Sequence, residues 1–162
     1  MTPRMLVAGV GNVFLGDDGF GVEVVRHLSR GALPPEVKLG DFGIRGIHLA
    51  YELMNGYDTT ILIDALPRGE APGTVYVLDI RPEDVPSGTG IADAHDMAPE
   101  AVLALLGSLG GRTGRVLLVG CEPADISPGM ELTRPVAAAV PRAAELVGEL
   151  IRENLNEERQ PC

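Results

Sequence analysis

The segment MLVAGVGNVFLGDDGFG, residues 5–21, contains the first strand–turn–helix unit that the sequence predicts. Met5–Gly9 is a short continuous apolar run, which is typical of a strand buried on both faces of a parallel sheet. A glycine-rich turn follows, and the apolar residues between Phe20 and Ser29 recur at helical spacing. The segment therefore predicts a βα unit whose loop lies at the carboxyl end of the strand, where folds of this type place their functional sites.

Four further strands are predicted along the chain: Val37–Phe42, Thr60–Ala65, Thr74–Asp79 and Arg115–Cys121. Strands that alternate with helices form a mostly parallel sheet with helices on both faces. Only about eight residues separate the third strand from the fourth, which is too few for a parallel crossover, so the fourth is predicted to be antiparallel. The predicted fold is α/β, a three-layer α/β/α sandwich of the phosphorylase/hydrolase-like kind. Its mixed five-stranded sheet is mostly parallel, with one antiparallel strand.

Three more helices are predicted after the first one. The helix that follows the second strand is expected to face the core through Ile47, Ala50, Tyr51 and Met54. Another helix extends from an Asp96 N-cap to about Leu109, and the last helix begins at Pro135. Pro141 predicts either a kink in that helix or a second helix after a short first one. Residues 1–154 are predicted to form a single domain, and residues 155–162 a polar, disordered tail.

The composition excludes several classes of partner. The chain has 162 residues and a formal net charge of −10 at pH 7, so its surface repels nucleic acid and anionic lipid. No apolar run approaches the roughly 20 residues that cross a bilayer. We therefore expect neither a nucleic-acid partner nor a membrane partner. The two cysteines cannot build a disulfide framework, which indicates a reducing compartment such as the cytoplasm.

The turn after the first strand is not a dinucleotide-binding fingerprint. The pattern G-x-G-x-x-G would require a glycine at the position of Phe14. Asp17 and Asp18 stand before the helix, where a pyrophosphate would bind, and their charge opposes a phosphate. A single acidic residue at a helix start is often only a cap, but two of them between glycines at this edge of the sheet indicate a functional site.

Carboxylates also end two of the predicted strands. Asp64 directly follows an apolar run, and burying its charge would cost several kcal/mol without a cation or hydrogen-bond donors. Asp41 ends the second strand, where an Asx turn is the alternative role. His95 precedes the Asp96 cap and is the best histidine candidate, because these carboxylates converge on the same sheet edge. Cys121 is interpreted as a small buried strand residue, not as a nucleophile.

Two carboxylates and one imidazole form a mixed oxygen and nitrogen donor set. Such a set suits a borderline divalent ion such as Zn²⁺ or Ni²⁺, and it leaves coordination positions open for metal-assisted hydrolysis. Because the sequence contains no H-E-x-x-H or H-x-x-E-H cluster, the site is predicted to be weak. A weak site of this kind would meet its metal on the substrate.

Several segments resemble the [NiFe]-hydrogenase maturation endopeptidases, the proteases that process the C-terminus of the hydrogenase large subunit. They are Leu6–Asn12 with Gly16–Gly19 and Gly21, Leu62–Ala65, Ala94–Met97, and Gly120–Ile126 followed by Leu132, Thr133 and Pro135. The matches occur in the family's order across about residues 5–150. The resemblance implies a cytoplasmic endopeptidase that removes the C-terminal extension of the large-subunit precursor after nickel insertion.

The resemblance also implies which residues carry the activity. Transferred by position, Asp18, Asp64 and His95 would be the catalytic and nickel-contacting residues. The nickel would be carried by cysteines of the substrate and bound only weakly by the free enzyme, and zinc or cadmium could act as a surrogate. Whether the metal or a carboxylate activates the attacking water stays open at this point.

Two positions depart from the family pattern. Many members carry glutamate where this chain has Asp18, whose side chain is shorter by roughly 1.5 Å, so a water could mediate its contact with the ion. The second motif is usually Asp-Gly-Gly, whereas Phe42 replaces a glycine here, which is expected to reshape the substrate groove. Asp17, Asp41 and Gly43 are predicted to belong to the substrate-binding loops.

Two other functions are compatible with the same residues. One is a stand-alone zinc-dependent peptidase or hydrolase on a similar fold, which would hold stoichiometric zinc by itself. The other is a non-enzymatic accessory protein or nickel-binding chaperone, which would bind the hydrogenase large subunit without cutting it.

Overall fold

The computed structural model describes residues 4–44, 46–80 and 114–159. The strands are β1 (Met5–Val10), β2 (Val37–Gly43), β3 (Thr59–Ala65), β4 (Val75–Ile80) and β5 (Arg115–Cys121). The helices are α1 (Phe20–Ser29), α2 (Gly46–Leu53) and α3 (Arg134–Arg159), and a 3-10 turn, Gly16–Gly19, precedes α1. All five predicted strands are present, each within one or two residues of its expected bounds. The helix predicted from Asp96 lies outside the described residues.

The strands form one sheet in the order β2-β1-β3-β5-β4. β1 pairs in parallel with β2 and β3, and β3 pairs in parallel with β5. β4 lies at the edge and is antiparallel to β5. This arrangement confirms the predicted mixed sheet with one antiparallel strand.

The helices cover the sheet on both faces, which confirms the three-layer architecture. On one face, α1 and α3 pack on side chains such as Val7, Ile61 and Ile63. On the other face, α2 packs on side chains such as Leu6 and Leu62. Consecutive residues of a strand point to opposite faces, and β1 and β3 are buried at every position because each face is covered.

The core-facing side of α2 was wrongly predicted. Three of the four expected core residues are exposed: Ile47, Tyr51 and Met54. The helix instead buries Gly46, Leu49, Ala50 and Leu53. Both sets of residues follow the helical spacing i, i+3, i+4, i+7, so periodicity alone could not distinguish them. Ala50 belongs to both sets, and the burial of Leu49 and Leu53 is what distinguishes the observed face.

α3 is a single helix of 26 residues that contains Pro141. The alternative of two separate helices is therefore not found. Pro141 has no backbone N–H and is exposed, while the buried side chains around it keep the helix on the core. α3 also continues beyond Asn154, where the polar tail was expected to begin. It does so because Leu155, only 5% exposed, extends the core-facing stripe.

α1 crosses the sheet at two glycines that allow backbone to touch backbone. A Cβ atom on Gly21 would clash with the carbonyl oxygen of Ile63 and would lie 2.5 Å from that of Val10. A Cβ atom on Gly9 would clash with the carbonyl oxygen of Gly21. This contact fixes the start of α1, immediately after the turn that carries Asp17 and Asp18.

Replacing Gly21 by alanine is expected to destabilise the fold by about 3 kcal/mol, because the new methyl group must push α1 away from β1 and β3. Urea unfolding of wild type and variant measures the difference. The matched control is Gly148→Ala in the middle of α3, where a Cβ atom would meet nothing closer than Arg152 Nη1 at 3.6 Å. That control should stabilise the protein by about 0.5–1 kcal/mol. Equal stability of Gly21→Ala and wild type would contradict the close contact.

Candidate functional site

The turn after β1 presents the first candidate carboxylate. The chain turns at Gly11, whose φ of 126° is a conformation that glycine adopts readily. The backbone N–H of Asn12 then donates to Asp18 Oδ2 at 2.7 Å. The N–H of Phe14 donates to Asn12 Oδ1 at 2.9 Å. These bonds hold the half-buried Asp18 side chain at the carboxyl end of β1.

Asp64 brings a second carboxylate to the same place. Its side chain is only 5% exposed, and its Oδ1 accepts the N–H of Ala65 at 2.8 Å. A Cβ atom on Gly11 would clash with the backbone oxygen of Asp18 and would lie 3.6 Å from Asp64 Oδ1. The two candidate residues therefore flank one glycine, and that position has no room for a side chain.

The third candidate, His95, lies outside the described residues. His27 and His48 are described, and both are exposed on the surface of a helix. Within residues 4–44, 46–80 and 114–159, no three histidine, cysteine, aspartate or glutamate side chains form a group that could hold a metal ion. The described part of the chain thus supplies two carboxylates of the expected donor set.

A β-bulge at the end of β2 borders this site. Gly9 pairs with Asp41 and Val10 pairs with Gly43, so Phe42 is the extra residue. The carbonyl oxygen of Gly43, a residue with a φ of 51°, accepts the N–H of Gly11 at 2.9 Å. An open groove of ≈ 220 Å³ is lined by Asp41, Phe42 and Gly43 together with Gly11, Asn12, Phe14 and Ile44.

Asp17 has a different environment from its neighbour Asp18. It is fully buried, and its carboxylate accepts the N–H groups of Ala124 at 2.8 Å, Asp125 at 3.0 Å and Thr133 at 2.7 Å, as well as the Thr133 hydroxyl. Burial alone would raise the pKa of Asp17, but these hydrogen bonds outweigh it and hold the pKa below its ordinary value. The charge is thus satisfied inside the protein.

The bonds to Asp17 tie the segment between β5 and α3 to the turn that presents Asp18. Backbone bonds reinforce the tie: Gly16 N–H donates to the Gly129 oxygen at 2.8 Å, and Gly129 N–H donates to the Phe14 oxygen at 2.8 Å. Asp17 was expected in a substrate-binding loop. Its side chain holds two loops of the site together and does not line the groove beside Asp41.

Glu122 has a comparable structural task that the sequence analysis missed. It is 6% exposed, and its carboxylate accepts the N–H groups of Arg68 at 2.6 Å and Gly69 at 3.2 Å. It therefore anchors the loop between β3 and β4. The sequence does contain a sign that Glu122 is buried, because this carboxylate follows the apolar strand β5 just as Asp64 ends an apolar run. It does not show which N–H groups Glu122 binds.

Cys121 is a structural residue, as predicted. It is fully buried, and burial raises the pKa of its thiol to about 11. The thiol therefore remains protonated at neutral pH and is a poor nucleophile.

Known proteins with the same sequence pattern identify the family. The family model described as hydrogenase maturation protease matches residues 22–150. The hydrogenase 2 maturation protease of Escherichia coli (strain K12) is 36% identical over 154 residues, which cover 93% of this chain and 92% of that protein. This chain belongs to the hydrogenase maturation protease family. The hydrogenase expression/formation protein HupD of Rhizobium leguminosarum bv. viciae is 34% identical to this protease over 154 residues. The alignment covers 93% of this protease and 75% of HupD.

Solved structures agree with this assignment. The protease resembles the hydrogenase maturating endopeptidase HybD from E. coli with a TM-score of 0.78 and 33% identity over 93% of both chains. It resembles the hydrogenase 2 maturation peptidase from Thaumarchaeota archaeon SCGC_AB-539-E09 with a TM-score of 0.71 and 35% identity, over 91% of this chain and 97% of that one. In the described part of the protease, no helix has the length and apolar character needed to span a bilayer.

Replacing Asp17 by asparagine is expected to destabilise the protease by about 2–4 kcal/mol at pH 7, because the side-chain amide would meet buried N–H donors. The folded-state pKa is below the ordinary 3.8, so the carboxylate stabilises the fold above about pH 4. This contribution is lost as the pH falls through the folded-state pKa of Asp17. The difference in the free energy of unfolding between wild type and variant should then become smaller. Urea unfolding across this pH range measures this difference.

The exposed Asp125 provides the matched control, since its Oδ1 accepts a hydrogen bond only from its own loop, from Ser127 N–H at 2.8 Å. Asp125→Asn should change stability far less than Asp17→Asn. A loss of similar size in both variants would contradict the anchoring role of Asp17.

Proposed function

We propose that this protease removes the C-terminal extension of the [NiFe]-hydrogenase large-subunit precursor after nickel has been inserted, and that it acts in the cytoplasm. The observation that carries the proposal is the pair Asp18 and Asp64 on either side of Gly11, beside an open groove. Both follow central parallel strands of the sheet, where α/β folds bind their ligands. The family assignment supplies proteolysis as the reaction class.

The donor chemistry favours nickel that arrives with the substrate. Two carboxylates, joined by the imidazole of His95, suit a borderline divalent ion but leave most of its coordination to other ligands. In the proposal, the cysteines of the precursor carry the nickel into the site. Asp64 Oδ1 and the Asp18 backbone both lie next to Gly11, so in the proposal a nickel ion that enters here offsets nearby negative charge, and a nickel-free precursor binds less favourably. Zinc and cadmium are surrogates with similar ligand preferences.

The proposed reaction is hydrolysis of one peptide bond. The substrate-borne ion would polarise the scissile carbonyl or lower the pKa of a water bound to it. A carboxylate of Asp18 or Asp64 would accept a proton from the attacking water and pass it to the amine of the released peptide as the C–N bond breaks. The groove lined by Asp41, Phe42 and Gly43 would receive the polypeptide on the side of the β2 bulge. Asp17 supports this arrangement indirectly, since it fixes the turn that presents Asp18.

Nickel dependence is tested with purified precursor in two forms. The protease should shorten the nickel-loaded large subunit and leave the nickel-free one intact, because only the ion completes the site. Mass spectrometry of the large subunit before and after incubation measures the loss of the C-terminal extension. Equal cutting of both forms would exclude nickel recognition.

Two added measurements separate the alternative functions. A stand-alone zinc peptidase would contain one zinc ion per chain, measured on the purified protein, and would cut small peptides without the precursor. A non-enzymatic chaperone would bind the precursor and leave its mass unchanged.

The site is tested by Asp64→Asn, which removes a charged oxygen but keeps the size of the side chain. Processing of the nickel-loaded precursor should fall by on the order of 100-fold or more, while the circular dichroism spectrum is retained. The matched control is Asp79→Asn on β4, an exposed aspartate that lies 3.8 Å from Arg115 in a surface ion pair. The control should process the precursor like wild type. Full activity of Asp64→Asn would remove Asp64 from the site.

A further inference from the structure

α2 has two apolar faces, and the sheet covers only one of them. Ile47 and Tyr51 lie on the outer face of α2, and Met54, in the turn directly after the helix, continues their row at i, i+4 and i+7. The exposed fractions of the three are 37%, 57% and 45%. We call these three residues the α2 outer stripe. A surface helix normally presents charged or polar residues to water, and a row of large exposed apolar side chains typically marks an interaction surface.

The α2 outer stripe is continuous in sequence with the groove of the candidate site. Ile44, which is 62% exposed, precedes α2 and lines that groove. Phe14, which is 61% exposed, lines it from the turn after β1. The groove also contains Gly11, whose Cβ position lies 3.6 Å from Asp64 Oδ1. The groove thus presents apolar side chains near Asp64, and Ile44 in its lining lies three residues before Ile47 in the sequence.

The charges around the stripe favour a partner other than a second copy of this chain. Glu52 is the only charged residue of α2, and its Oε1 lies 2.6 Å from Lys38 Nζ and accepts the Tyr57 hydroxyl at 2.6 Å. The hydrogen bond from Lys38 lowers the pKa of Glu52, so the pair stays ionised and internally neutralised. The chain as a whole carries a net charge of −10, so two copies repel each other as they approach, although this face is locally neutral. A less acidic protein with an apolar patch fits better.

We propose that the α2 outer stripe is a docking surface for the folded body of the protein substrate. The inference rests on the proposed function, because the occupant is the hydrogenase large-subunit precursor. An apolar surface on the precursor packs on Ile47, Tyr51 and Met54, and the segment to be cut extends from there into the groove. Docking at a distance from the reacting bond raises the effective concentration of that segment at Asp18 and Asp64.

The test separates docking from chemistry. The double variant Tyr51→Ser, Met54→Ser should raise KM for the nickel-loaded precursor by about tenfold and leave kcat within about twofold. The matched control is Val77→Thr on the edge strand β4. Val77 is 37% exposed, like Ile47, so this variant removes an apolar group of similar exposure outside the stripe. It should leave both constants unchanged. Because both stripe side chains are exposed, the double variant should keep its circular dichroism spectrum. Should it lose helicity, Tyr51→Ser alone is used instead.

A binding measurement provides the second readout. Asp64→Asn, which still presents the stripe, should bind the nickel-loaded precursor, and adding the double substitution should weaken that Kd by about tenfold. Unchanged KM and Kd in a folded double variant would overturn the docking surface while leaving the proposed function intact.

Two further outcomes are distinguishable. Failure of the wild-type protease to cut a precursor that it binds through the stripe would count against the proposed function and support the docking surface. Analytical ultracentrifugation measures the oligomeric state of wild type and double variant. A dimeric wild type and a monomeric double variant would assign the stripe to a second copy of this chain and overturn the proposal.

Discussion

The buried carboxylate of Asp17 is the interaction on which the architecture of the site depends. It is one of very few charged groups inside the described core, and three N–H groups and one hydroxyl of the segment 124–133 converge on it. A buried charge without these donors would be strongly unfavourable, so the segment and the turn must fold together. The turn in question also carries Asp18. The turn that carries a candidate catalytic residue is thus fixed by the bonds of its neighbour, and the Asn12 N–H then orients the Asp18 side chain.

The sequence allowed the sheet to be predicted almost completely, and the reasons are local. β1, β3 and β5 are apolar runs bounded by glycine or charged residues, and the short β3–β4 connection leaves only an antiparallel pairing for β4. α2 shows where such reasoning stops. Its apolar residues fill two adjacent faces, and only the tertiary packing, which buries Leu49 and Leu53 and leaves Ile47 and Tyr51 exposed, decides which face is buried.

The site was predictable in part for a topological reason. The chain goes from β1 outward to β2 and then returns to β3 on the other side of β1, so the carboxyl ends of β1 and β3 form the crevice where such sheets bind ligands. Asp18 and Asp64 were singled out because Asp18 lies in the turn after β1 and Asp64 lies at the end of β3. The separate tasks of Asp17 and Glu122 could not be read from the sequence, since they depend on which distant N–H groups meet each carboxylate. Phe42 was singled out by its departure from the family motif, and the structure makes it the extra residue of a bulge.

The two adjacent aspartates impose a constraint on how this protease can evolve. Asp17 points into the interior and Asp18 points towards the candidate site. The number of residues between Gly11 and α1 must therefore stay the same if each aspartate is to keep its position. An insertion of one amino acid before Asp17 would move this anchor out of its buried position, and a deletion would move Asp18, the candidate site residue, into that position. Side chains in this stretch can change without shifting the backbone, but the length of the stretch is constrained by the two aspartates. Diversification among such enzymes should therefore occur through changes of side chain here, and through changes of loop length elsewhere.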